Sequence, residues 1–140
     1  MQYHIKLTDW ANDAERLGDI RRTVFIEEQK VPENLEWDES DDDCTHVLVT
    51  DNNNKPLATA RIASNGHIGR MSVLKAYRKY GIGSAMIKKL VEYARSQQLA
   101  RLTLHAQVTA MPFYARHGFV ETSDEFMDAG IPHKAMQLQL

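Results

Sequence analysis

The chain has 140 residues, 43% of them hydrophobic and 26% charged, with a formal net charge of −2 at pH 7 and one cysteine, Cys44. That length lies near the mode for a single domain and buries roughly 68% of the surface of its unfolded chain, enough for a core that holds a cavity. No apolar run approaches the ~18 residues of a membrane span, a lone cysteine allows no internal disulfide, and a pI near 6.3 lacks the basic footprint of a nucleic-acid binder. One domain over residues 1–140 is expected, cytoplasmic, with no membrane or nucleic-acid partner. Met1 to Lys6 shows no basic stretch leading into an apolar one, so no secretory signal is expected either.

Tyr3, Ile5 and Leu7 alternate with polar residues, the pattern of a half-buried first strand. Leu17, Ile20, Val24 and Phe25 follow at helical spacing, and Pro32 closes that segment. From Glu27 to Asp43 nine acids face the single base Lys30, with no convincing periodicity after Glu33, so a loop with at most a short helical turn is expected. This stretch is a candidate for drawing in a cationic acceptor. Strands are predicted over 45–50 and 56–63. Asn65-Gly66 then marks a hairpin that returns residues 67–74 antiparallel to the second of them.

Residues 81–98 read as a long helix, with Ile82, Met86, Ile87, Leu90, Val91 and Ala94 on one stripe. A strand over 101–106 comes next. Pro112 then fits a first helical turn, and Gly118 supplies a left-handed stop. Strands over 119–121 and 134–140 complete the set. The fold class expected is α+β, a mixed central sheet of about seven strands flanked by about four helices.

The most informative segment runs from Met71 to Ala85: a strand, a short basic loop with two glycines, and a helix start. Glycines there let backbone amides turn inward, and the helix N-terminus adds roughly half a positive charge, which makes the turn a cradle for a diphosphate. It is neither a P-loop, which needs Gly-x-x-x-x-Gly-Lys-Ser/Thr, nor a dinucleotide fingerprint, whose third glycine is replaced by Met86.

Arg78-Lys79-Tyr80-Gly81-Ile82-Gly83 resembles the R/Q-x-x-G-x-G/A signature of the GNAT acetyltransferases. Ala110-Met111-Pro112-Phe113-Tyr114-Ala115-Arg116-His117-Gly118-Phe119 is similar to the later A-x-x-F-Y-x-x-x-G-F motif of the same family. Arg22-Thr23-Val24-Phe25-Ile26-Glu27-Glu28-Gln29 also resembles a small GNAT subfamily. The resemblance implies the acyl-CoA N-acyltransferase fold, splayed between its fourth and fifth strands. It implies acetyl-CoA as co-substrate, a primary amine on a small acceptor, direct transfer in a ternary complex, and a homodimer.

By the same resemblance, the amides of Lys79, Tyr80, Gly81, Ile82, Gly83 and Ser84 would hold the diphosphate, with Arg78 adding charge. The backbone around Met71, Ser72 and Val73 would pair with the pantetheine arm as an added strand. Gln107 stands where the family more often has Asn, and its longer amide still reaches that arm. Tyr114 would protonate the departing thiolate.

An amine with a pKa of about 10.4 costs roughly 4.6 kcal/mol to deprotonate at pH 7, so a base is sought. His67 is the first candidate, expected on one face with Gly69, Met71 and Val73; Glu28 is the second. Phe25, Glu28 and His133 are expected along the acceptor. The six histidines and Cys44 show no metal-ligand spacing, so no metal is expected.

Overall fold

The computed structural model describes all 140 residues, Met1–Leu140. Strand β1 (Tyr3–Asp9) leads into helix α1 (Trp10–Arg21), whose last turn widens into a π-helix over Arg22–Glu28. A short α2 (Glu33–Glu36) and a 3-10 turn (Glu39–Asp43) occupy the acidic stretch. Then follow β2 (Thr45–Asp51), β3 (Pro56–Ile62), β4 (His67–Val73), α3 (Ile82–Ser96), β5 (Arg101–Gln107), α4 (Met111–Arg116), β6 (Val120–Glu121), β7 (Phe126–Asp128) and β8 (Ile131–Gln139). The sheet has eight strands in the order β1-β2-β3-β4-β5-β8-β6, with β7 paired to β8. No helix is long and apolar enough to cross a membrane.

The Asn65-Gly66 hairpin forms as expected. Gly66 has φ +89°, and a Cβ there would stand 2.5 Å from the Arg101 carbonyl, so only glycine fits the place where β5 passes the turn. The eighth strand, β7, adds to the seven expected from the sequence.

Cross-strand partners share a face, so the registers sort the side chains into two sets. Val47, Ala60, Ile62, Ile68, Leu104 and Met136 lie on one face, buried beneath α3 through Ile82, Met86, Ile87 and Leu90. On the other face lie His46, Arg61, Gly69, His67, Thr103, His105, Gln107 and His133. There α1 packs Leu17 and Ile20 on Leu48.

A β-bulge divides β4. Arg61 pairs with Gly69 but Thr59 with Ser72, so β4 carries one extra residue, and Arg70 takes φ +53° to accommodate it. Alternation inverts beyond that point. Val73 joins Ile68 by pairing with Ala58, and Met71 and Val73 pack against the α3 core. His67 therefore shares a face with Gly69 but not with Met71 or Val73, contrary to the simple alternation read from sequence.

Candidate active site

Strands β4 and β5 pair in parallel only at His67↔Thr103 and Ile68↔Leu104, then diverge. Beyond Ile68 the β5-facing edge of β4 has no strand neighbour, so its main-chain groups border an open gap. A cavity of about 360 Å³ occupies the gap and the α1 face of the sheet. Its wall includes Met71, Ser72, Val73, Arg78, Gln107 and Tyr114, together with Phe25, His67 and His133. Residues expected for the coenzyme and for the acceptor thus meet in one space. Glu28 and the turn from Lys79 to Ser84 lie outside that wall, at its rim.

At the start of α3 the first helical hydrogen bond runs from the Ala85 amide to the Gly81 carbonyl. The amides of Lys79, Tyr80, Gly81, Ile82, Gly83 and Ser84 donate to nothing in the chain, as the first turn of a helix requires unless a cap or ligand intervenes. Lys79 (φ +81°) and Gly81 (φ +77°) take left-handed angles that bend the loop into the helix. Gly83 rests on Phe113: a Cβ there would come within 3.1 Å of its ring. The Ser84 hydroxyl is held 2.9 Å from His117 Nε2. The local sequence Gly-x-Gly thus serves one residue's φ and another's packing.

Two side chains expected on the coenzyme are engaged elsewhere. Arg78 makes a two-pronged ion pair with Glu28, both bonds 2.8 Å, and its Nε donates to the Val73 carbonyl at 2.9 Å. Gln107 Nε2 donates to Gln29 Oε1 at 2.9 Å. Both partners sit at the end of the π-helix, whose widened turn is closed by the Gln29 amide donating to Val24 five residues back. The Arg78 hydrogen bond holds the Glu28 carboxyl below the usual range, which makes Glu28 a weaker base.

Tyr114 approaches the gap from the α3 side. Its ring packs between Phe113 and Phe119, with centroids 5.1 and 5.9 Å away, and its hydroxyl donates to Met71 Sδ at 3.5 Å. Burial pushes its pKa up to about 12, so the phenol is protonated at neutral pH and is available as a proton donor. The imidazoles come from the opposite side. Burial lowers the pKa of His67, helped by the neighbouring His105, and its Nδ1 lies 2.9 Å from Thr103 Oγ1. His133 is 9% exposed and its Nδ1 donates to the Ile131 carbonyl at 2.7 Å. A carbonyl only accepts, so the neutral ring carries its proton on Nδ1 and keeps a lone pair on Nε2. Acid and base candidates therefore flank the gap from opposite faces.

A family model described as an acetyltransferase (GNAT) domain matches residues 11–140. The chain belongs to the GNAT acetyltransferase family. An N-acetyltransferase of Bacillus subtilis named YjcF is 38% identical over 133 residues, covering 90% of this chain and 94% of its own. An acyl-CoA N-acyltransferase from Pseudomonas aeruginosa superposes with a TM-score of 0.87 at 26% identity, covering 97% of this chain and 99% of its own. A more distant fold neighbour, a Bacillus anthracis protein in complex with acetyl coenzyme A, matches with a TM-score of 0.62 at 19% identity over 70% of this chain and 63% of its own.

Around the Glu36, Arg61 and Arg70 that line the cavity of this GNAT domain, a charge network joins residues far apart in the sequence. Arg21, 1% exposed, donates through Nε to Glu36 at 2.9 Å and through Nη1 to Asp41 at 2.7 Å, between the rings of Trp10 and Trp37. Arg61 binds Asp38 and Asp41, and Arg70 binds Glu36 and Asp38. Burial pushes the Glu36 carboxyl up against the opposing pull of Arg70 and Arg21. Three acids of the Glu27–Asp43 stretch are consequently committed to three arginines. The stretch folds back as a neutralising cover, which removes Glu36, Asp38 and Asp41 from the acidic surface expected to attract a cation. In a linear reading, arginines and acids 15 to 34 positions apart carry no sign that they will meet.

Proposed function

We propose that this GNAT domain transfers the acetyl group of acetyl-CoA to the primary amine of a small acceptor, directly, in a ternary complex. The observation that carries the reading is the row of unpaired amides from Lys79 to Ser84 beside the β4–β5 gap. Six donors at a helix N-terminus suit a diphosphate, and an unpaired strand edge suits an amide-bearing arm such as pantetheine. That a B. anthracis fold neighbour holds acetyl coenzyme A supports the same choice.

In this reading the amine nitrogen attacks the thioester carbonyl carbon from the imidazole side. A C–N bond forms and the C–S bond breaks. The amine proton passes to His133 Nε2, the lone-pair nitrogen of the neutral ring whose Nδ1–H the Ile131 carbonyl accepts, with His67 as the alternative acceptor. The thiolate takes its proton from the Tyr114 hydroxyl on the other side of the gap. Holding both reactants in one cavity supplies on the order of 7–11 kcal/mol of the barrier reduction.

Calorimetry with coenzyme A should give a saturable signal, and acetyl-CoA with an amine panel should release thiol in step with amide formed. Tyr114→Phe is expected to lower turnover by about 10²–10⁴-fold while coenzyme affinity is retained. Absence of heat with coenzyme A would overturn the reading. Unchanged turnover in Tyr114→Phe would remove the tyrosine from it.

A further inference from the structure

Building on that reading, we infer that the acceptor is an amine carrying a carboxylate, the chemistry of an amino acid, and that Arg70 and Arg61 bind the carboxylate. Each nitrogen of Arg21 has a partner: Nε and Nη1 meet carboxylates and Nη2 meets the Glu36 carbonyl. Arg61 and Arg70, which line the cavity, each keep one nitrogen without a partner. Arg61 spends Nη1 and Nη2 on Asp38 and Asp41, which leaves Nε without a partner. Arg70 spends Nε and Nη2 on Leu35, Glu36 and Asp38, which leaves Nη1 without one. No side-chain nitrogen in the chain is both fully buried and unpartnered, so these donors reach open space, and both arginines border the cavity.

The backbone is shaped to present them. In regular alternation Arg70 would point with Ile68 into the α3 core. The left-handed bulge turns it instead to the face shared by Arg61, His67 and His133. A bulge beside a site commonly re-aims a side chain in this way. Gly69 leaves the approach to Arg61 bare, since even a methyl there would stand 3.6 Å from Nε. Planar guanidinium N–H groups match a carboxylate in geometry as well as charge.

The charges around the cavity agree. Of its acids, Glu36 is paired with Arg21 and Arg70, and only Asp128 makes no ion pair; of its arginines, Arg78 is paired with Glu28. The free donors thus stand where a carboxylate fits, with Asp128 across the cavity as a counter-charge for an incoming ammonium. A purely cationic acceptor would face Arg61 and Arg70 with nothing to offer them.

The test compares amino acids with their own carboxamides, using thiol release and calorimetry on the full chain saturated with the coenzyme. Each pair keeps its amine and loses only the carboxylate charge, and the amide's amine is the less basic, so intrinsic reactivity favours the amide. Acids are expected to exceed amides at least tenfold in kcat/KM, about 1.4 kcal/mol, mainly through KM. Arg70→Lys, which keeps the charge and loses the fork, should shrink that ratio severalfold. Gly69→Ala, which covers Arg61 Nε and needs no unusual φ, should do so without touching the ion pairs. Amides equal to or better than acids would overturn the inference, as would a ratio unmoved in both variants. If no member of any pair releases thiol although coenzyme binds, the transferase reading fails by itself. Calorimetry then decides the inference: tighter binding of acids than amides supports it, and equal binding overturns it.

Discussion

The two halves of the candidate site are built by opposite means. The half proposed for the coenzyme is a contiguous run, Lys79 to Ser84, whose candidate groups are main-chain amides that any sequence forming this turn would present. The half proposed for the acceptor is assembled from α1, α2, the 3-10 turn, β3, β4 and β8, and its candidate groups are side chains. A local turn costs little to build and carries little discrimination. A wall of three arginines and three acids has to recover the desolvation of its buried charges through close, multiply bonded geometry, and it holds discrimination in whatever donors remain free.

The largest expected effect follows from that cost. Arg21→Ala leaves Glu36 and Asp41 buried with one fewer cation, and should lower unfolding stability by about 3–5 kcal/mol in a urea titration. For a domain of this size that is a large part of the total. A loss under about 1 kcal/mol would mean that the wall is not the buried charge network described. Gly81→Ala at the other end should cost only about 1 kcal/mol, the strain of an L side chain at φ +77°, because a Cβ there meets nothing within 4 Å.

That contrast also explains what could be read in the sequence. The mixed sheet, the Asn65-Gly66 hairpin and the α3 turn rest on local spacing, whereas the splay and the placing of Tyr114 come from the resemblance that two contiguous motifs carry. The bulge at Arg70 escaped because no glycine marks its left-handed residue. The β7–β8 hairpin escaped for a related reason: its two-residue turn has φ +51° at Ala129 and +77° at Gly130, and alanine is not a usual signal there. For His133 the sequence supports only an expected place along the acceptor. Its tautomer depends on the Ile131 carbonyl, which only the strand geometry supplies.

A pH titration of stability separates the same two regions. Burial lowers the pKa of both His46, hydrogen-bonded to the Asp41 carbonyl inside the acceptor wall, and His67. A histidine with a depressed folded pKa binds fewer protons in the folded than in the unfolded state, so stability rises with pH through this range. The chain should therefore lose stability as pH falls below the unfolded value of about 6.5. His46→Gln should flatten that slope. An unchanged slope would place the titrating groups outside the acceptor side.

The smallest expected effect lies where the two ends touch. Glu28 and Gln29, at the end of the π-helix, hold Arg78 and Gln107, so each contact that the coenzyme would use has a substitute in the free chain. A carboxylate neutralising Arg78 beside a diphosphate competes with the ligand, and coenzyme binding has to displace it or share the guanidinium with it. Glu28→Gln removes the competing charge and keeps the shape. Because the pair is substantially exposed, with side chains 38% and 35% accessible, it is worth about 0.2–1 kcal/mol, and coenzyme A should bind up to about fivefold tighter in the variant. Added salt should narrow the difference. Weaker binding would instead mean that Glu28 holds Arg78 in place for the diphosphate. The π-helix would then support the coenzyme end, and the two regions would be built as one.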